Sequence, residues 1–284
     1  MPTHHLIVGL PGAGKTTFLA ALWHVVEYNG VGAGLTVERL DGDREYLNEI
    51  RSRWLKCESQ LRTSTSSEAS VTMLLRAQPA GDTMEISFPD MSGESFRAQW
   101  TTRQWSDEYN DLVQGATGVM LFVHPVGISE PHRIDQADEL VAALGDVGGG
   151  GEVQRQEVPP WNPDDAPTQV QLVELLQFIG AKKRVGMNLA VVISAWDIAS
   201  RSETRPTEWL RLRLPLLSQY LSANDDTWNT TIFGVSAQGG DFETDAERLL
   251  TEHIPAKRII VVDGDTTSSD ITAPVRKLMI TTRA

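Results

Sequence analysis

Cysteine occurs once in 284 residues, as Cys57. No intramolecular disulfide can form, which suits a reducing, cytoplasmic compartment. Basic residues are scarce: 25 Lys and Arg face 38 Asp and Glu, for a net charge of −13. Phosphate backbones need basic faces, so this balance argues against a nucleic-acid partner. Long apolar runs are missing too. The longest apolar strand, Leu189 to Trp196, is far shorter than a membrane span, and no membrane segment is expected. The apolar run at the N-terminus is only a few residues long, so no signal peptide is expected. The six histidines show no HxxxH or Cys/His spacing, and no transition-metal site is expected. What is present suffices for a sizeable core: 40% hydrophobic and 22% charged residues, outside the disordered range.

The richest stretch is His4 to Thr17, which contains Gly9-x4-Gly14-Lys15-Thr16. This is a full Walker A phosphate-binding loop between a short apolar strand and a helical pattern (Phe18, Leu19, Leu22, Trp23, Val26). Its glycines allow a sharp turn, so successive N–H groups of Gly12, Ala13 and Gly14 point inward at a polyphosphate. The helix N-terminus adds the positive end of its dipole. Lys15 reaches the β- and γ-phosphates, and the Thr16 hydroxyl is suited to Mg²⁺. The loop alone names neither the base nor the reaction.

Downstream, strands alternate with helices. Strands are expected at 4–9, 71–77, 84–89, 118–124, 188–194, 231–235 and 256–262. Helices are expected at 15–28, 43–57, 131–144, 169–180, 206–222 and 270–281. Residues 94–115 read as helical or partly ordered. Between the first two helices lies an irregular connection, with Gly30 to Gly34 as a turn. Thr63 to Ser70 reads as a polar loop, and Pro79-Ala80-Gly81-Asp82 as the turn of a hairpin. Near-continuous apolar strands separated by helices imply an α/β fold with a mostly parallel sheet covered on both faces. Residues 1–284 read as one domain, and 126–167, with its glycine run and prolines, as an exposed insert after the fourth strand of the sheet core. His4 and His5 read as strand-edge residues.

Three further motifs stand at strand ends, where open α/β folds bind ligands. Asp90-x-x-Gly93 follows the strand ending at Pro89. An acid there suits Mg²⁺, and the glycine N–H suits a γ-phosphate. Ser194-Ala195-Trp196-Asp197 follows the apolar strand Leu189 to Ile193, and Ser236-Ala237-Gln238 follows the strand after it. With these motifs in order, the chain resembles the Ras-like, TRAFAC-class GTPases and is most similar to bacterial double-GTPase-type G domains. The resemblance covers essentially the whole chain through GLPGAGKTT, FPDMSGESF, VVISAWD, GVSAQG and Asp270-Ile271-Thr272-x-Pro274.

The resemblance implies a three-layer P-loop G domain, a GTP/GDP ligand with Mg²⁺, GTP hydrolysis, and a protein effector or activator. Carried over by position, Gly12, Ala13, Gly14, Lys15, Thr16 and Thr17 meet phosphates and Mg²⁺. Asp90 and Gly93 form the switch, and Asp197, Ser236 and Ala237 face the base. Asp197 would accept from guanine N1–H and N2–H₂, a donor pair that adenine lacks. The chain also departs from the family: Ser194 replaces Asn or Thr, Ala195 replaces Lys, and Glu94 stands where a water-orienting glutamine is usual. Glu94 either orients water or simply opens a helix. Trp196 either packs beside the base or fills the core. The switch threonine that caps Mg²⁺ is assigned to Thr63, ahead of Thr65. Arg97 and Arg103 stand either as a cis arginine finger or as surface residues, and Trp100 and Trp105 as an effector face or as packing. The expected function is a GTP-binding switch with slow intrinsic hydrolysis. The alternatives are a P-loop kinase or ATPase, with Arg201, Arg205, Arg211 and Arg213 as a phosphate lid, and a nucleotide-bound scaffold with little turnover.

Overall fold

The computed structural model describes residues 3–28, 34–60, 71–89, 99–131, 162–182, 186–199 and 205–279. In chain order the elements are β1 (Thr3–Gly9), α1 (Lys15–Glu27), β2 (Leu35–Asp41), α2 (Arg44–Leu55), β3 (Val71–Ala77), β4 (Thr83–Phe88), α3 (Asp107–Gly115) and β5 (Gly118–Val123). There follow α4 (Thr168–Ala181), β6 (Met187–Ser194), α5 (Trp196–Ala199), α6 (Pro206–Arg213), α7 (Pro215–Ala223), β7 (Trp228–Ser236), α8 (Ala246–Leu250), β8 (Ile260–Asp263), β9 (Thr266–Ser268) and α9 (Ala273–Met279).

The strands form one sheet in the order β2-β3-β4-β1-β5-β6-β7-β8-β9. The inner strands, β4 through β7 in that order, pair in parallel. The outer pairs are antiparallel on both sides. Period-two alternation splits the core between two faces. On one face Ile7, Met120, Phe122, Ala190 and Val192 pack with α1, α2 and α9 through Leu22, Trp54 and Val275. On the other, Leu6, Val8, Leu121, Val191 and Ile193 pack with α3, α4, α6 and α7 through Val113, Leu176, Trp209 and Leu217. Both faces are thus covered, giving the three-layer α/β architecture of a P-loop G domain.

Four local expectations need correction. Strand β2 lies within the connection read as irregular. Only Leu35 of it is fully buried, and its pairing with β3 slips between Val37 and Arg39, so alternation is weak. The helix expected at 206–222 is two helices broken at Leu214-Pro215. Proline lacks an N–H and pushes the residue before it out of the helical region, and Leu214 has φ −133° and ψ 62°. Residues 255–258 form a 3₁₀ turn before the shorter strand β8, and Pro255 at its start explains the change. His4 and His5 lie on β1, in the middle of the sheet, and His5 is buried. The helix expected at 131–144, the loop at 63–70 and most of the 126–167 stretch lie outside the described residues.

His5 gives the fold a defined acid sensitivity. Burial foremost, and then the neighbouring His4 charge, lowers its pKa from 6.5 to about 4. Between those values the unfolded chain takes up a proton that the folded chain does not. Stability is therefore lost as pH falls from 6.5 toward 4, at about 1.4 kcal/mol per pH unit from this group. Urea denaturation across that range should show the slope, and His5→Gln should reduce it by about 1.4 kcal/mol per pH unit, leaving the equal share of His24.

Candidate nucleotide site

The parallel strands bring their carboxyl ends to one edge. Gly9 is in register with Phe122, Val123 with Ile193, and Ser194 with Val235. The Walker A loop, Ser194–Asp197 and Ser236–Gln238 therefore share that edge. Three loop glycines hold backbone that L side chains rarely adopt: φ is 151° at Gly9, 75° at Gly12 and 88° at Gly14. Gly14 is also the N-cap of α1, which has no side-chain cap and no acid in its first turn. By contrast, Asp43 caps α2 and Ser106 caps α3, and both helices carry acids in their first turns. Helix α1 thus keeps its first N–H groups and its dipole for an external anion. Lys15 Nζ donates to the carbonyls of Gly9 at 2.7 Å and Leu10 at 3.0 Å. This bends the side chain over its own loop.

Ser194 has a role that the sequence did not disclose. A Cβ on Gly14 would lie 3.0 Å from both its Cβ and its Oγ, and Oγ donates to the Val123 carbonyl at 3.2 Å. Ser194 is therefore the floor of the glycine-rich loop. Its neighbour Ala195 has φ 45°, which aims the chain into α5. Asp197 on α5 is half-buried, and its carboxylate has no hydrogen-bond or ion-pair partner among the described residues. Trp196 fills the core: it is 3% exposed, and a Cβ on Gly234 would fall 2.3 Å from its ring.

The loop 236–239 is held at every residue. Ser236 Oγ accepts from Gly239 N–H at 2.9 Å. The Ala237 carbonyl accepts from Trp54 Nε1 at 2.9 Å. Gln238 Nε2 donates to Cys57 Sγ at 3.1 Å, and Arg248 donates to the Gly239 carbonyl at 3.1 Å. Arg258 closes the cluster, donating to Cys57 Sγ at 3.0 Å and to the Trp54 carbonyl at 3.2 Å. It is buried without a carboxylate partner among the described residues, and burial lowers its pKa against the favourable influence of Cys57 and Glu252. Trp54, Cys57 and Arg258 carried no sequence signal, because α2 and the 255–258 turn lie far away along the chain.

Several candidate residues are engaged by other described side chains or carbonyls. Arg103 pairs with Glu174 of α4 at 2.9 Å on the surface. Trp100 donates to the Pro163 carbonyl at 2.7 Å. Trp105 packs against Tyr109 and Phe178 at centroid distances of 5.0 and 5.4 Å. These tryptophans pack helices onto the sheet. Arg205, Arg211 and Arg213 pair with Asp265, Glu208 and Glu130, so none of these three forms a lid over the loop. Thr63, Thr65, Asp90, Gly93, Glu94, Arg97 and Arg201 lie outside the described residues.

The model of the family described as Double-GTPase 1 matches residues 6–278. No curated protein sequence matches the chain. Among solved structures, it is similar to a bacterial selenocysteine-specific elongation factor, EF-Sec. Identity there is 14% and the TM-score 0.39, over 88% of this chain and 28% of that one. It is also similar to the Ski7 GTPase-like domain of S. cerevisiae bound to GDP and inorganic phosphate. Here identity is 13% and the TM-score 0.42, over 84% of this chain and 43% of that one. The signal recognition particle receptor SRb-GTP/SRX complex from Chaetomium thermophilum gives 10% identity and a TM-score of 0.40, over 87% of this chain and 96% of that one. The chain thus spans less than half the length of the first two.

The glycines of the loop are expected to differ in their tolerance of a side chain. At Gly9 a Cβ would lie 2.7 Å from the Phe122 carbonyl oxygen, whereas at Gly12 nothing lies within 4 Å. Gly12→Ala should cost about 1–2 kcal/mol for its backbone conformation alone, and Gly9→Ala distinctly more. Chemical denaturation of the two variants checks this order.

Proposed function

The chain belongs to the Double-GTPase 1 family and is a P-loop GTP-binding protein. On that premise we propose that it is a molecular switch that hydrolyses GTP to GDP slowly and under the control of a protein partner. The observation that carries the reading is the uncapped, acid-free N-terminus of α1 behind three left-handed glycines, at the same sheet edge as Asp197, whose carboxylate has no hydrogen-bond or ion-pair partner among the described residues. The first feature fits a polyphosphate and the second a base with adjacent donors. The loop residues Gly12, Ala13, Gly14, Thr16 and Thr17 hold the phosphates.

Thr16, in the first turn of α1, offers a hydroxyl oxygen that fits Mg²⁺. Hydroxyl and carboxylate oxygens are hard ligands, and the assigned ones are Thr16, Asp90 and Thr63. The ion would neutralise charge on the transferring phosphoryl group. Lys15, bent over the loop, adds positive charge at the same place. Glu94 orients water, and its own negative charge beside a γ-phosphate keeps the intrinsic rate low. Gly93 senses the γ-phosphate, and its loss relaxes the switch. Ser236 and Ala237 complete the base side. Residues 1–284 act as one domain, with 126–167 as an insert.

The kinase or ATPase reading loses support, because Arg205, Arg211 and Arg213 are engaged with surface carboxylates. Chromatography of co-purifying nucleotide should yield GDP or GTP. Lys15→Ala should weaken GTP binding about 10- to 100-fold, as expected for loss of a charged donor to phosphate. Asp197→Asn should reduce the preference for GTP over ATP by on the order of tenfold; an unchanged preference overturns the base-side assignment. Single-turnover assays should show slow hydrolysis by the isolated chain, and rapid turnover would contradict partner control.

A further inference from the structure

The base loop is built on α2 through a contact that nucleotide binding itself does not require. Trp54 is 0% exposed, and its indole Nε1–H donates to the Ala237 carbonyl. The ring is held between His24, at a centroid distance of 5.1 Å, and the Arg258 guanidinium, 4.6 Å from its centre. Its own carbonyl accepts from Arg258 and Gln238. The other anchors of the loop act on Ser236, Gln238 and Gly239. Trp54 acts on the residue assigned to the base.

We propose that Trp54 is a positioning residue for purine recognition: by holding the Ala237 carbonyl it fixes the peptide that follows Ala237, and with it the local backbone conformation that points the Ala237 N–H toward the 6-oxo group of guanine. This rests on the assignment of Ala237 to the base. Phenylalanine at position 54 would keep most of the ring packing on His24 and Arg258 and would remove the N–H. The Ala237 carbonyl would then be left without that donor, while the anchors on Ser236, Gln238 and Gly239 would remain. Packing and positioning therefore separate in one substitution.

The experiment measures binding of GTP and 6-thioguanosine triphosphate to the full chain. The thio analogue keeps both donors for Asp197 but presents sulfur, a poor acceptor, at position 6. The wild-type protein should prefer GTP. Trp54→Phe should weaken GTP binding about tenfold, the loss expected for one well-placed hydrogen bond, and should change binding of the analogue by less than about twofold. The melting temperature of the nucleotide-free variant reports on packing separately. Should Trp54→Phe not fold, Arg258→Lys, which keeps the charge and the indole but loses the guanidinium's simultaneous bonds to the Trp54 carbonyl and Cys57 Sγ, carries the same comparison. Equal weakening of both nucleotides, or no weakening of either, overturns the proposal. A wild-type protein that does not distinguish the two nucleotides overturns the assignment of Ala237 instead, whatever Trp54 does.

Discussion

Strand β1 approaches β5 so closely at Gly9 that there is no room for a side chain against the Phe122 backbone. Most of the molecule's working edge follows from that contact. The strand must end in a residue with φ near 151°, and the chain then turns over the sheet instead of continuing along it. Phe122 also meets Phe18 of α1 edge to face, with ring centroids 5.0 Å apart. One residue of β5 thus fixes where the strand stops and where the following helix begins. The phosphate loop is what spans the gap between those two points.

The base side is assembled differently. Helix α2 and the loop after β7 are separated by some of the longest sequence intervals in the protein, and Gly239, with φ 85°, lets that loop lie directly on the Arg258 backbone. They are joined by a buried cluster of an indole, a thiol, an amide and a guanidinium. A buried cation costs several kcal/mol unless its hydrogen-bonding capacity is met. Arg258 meets it with two carbonyls, a sulfur and a ring face instead of a carboxylate. His24, beside the same indole, stays neutral at physiological pH, because burial first and then Arg51 and Arg258 lower its pKa to about 4. The cluster therefore keeps one positive charge, on Arg258, and leaves the neighbouring ring uncharged.

The phosphate loop and the parallel strands were legible in the sequence because they rest on local rules. Gly9 to Thr16 has fixed spacing, and β5 and β6 are apolar runs of the right length. The edge strands were not legible. Leu35–Asp41 presents a single fully buried residue, and Thr266–Ser268 is polar throughout. The break at Leu214-Pro215 could have been read from the proline itself, but the apolar period runs across it. At the candidate site, Asp197 was singled out by its place after a strand. Ser194 was noticed only as a departure from a pattern, although its small side chain is what lets Gly14 lie on it. Trp54 and Arg258 gave no signal, since their meaning comes from tertiary proximity alone.

The two rims of the sheet, β2 and β9, share a property with consequences for assembly. Strand β9 is three residues long and fully exposed, and β2 carries Glu38, Arg39 and Asp41 beside a register slip. Short, charged or irregular rims are poor templates for another strand. The sheet is therefore closed to growth from either side. A second polypeptide that engages this chain is better received by helix surfaces or by the loops at the strand ends than by these rims.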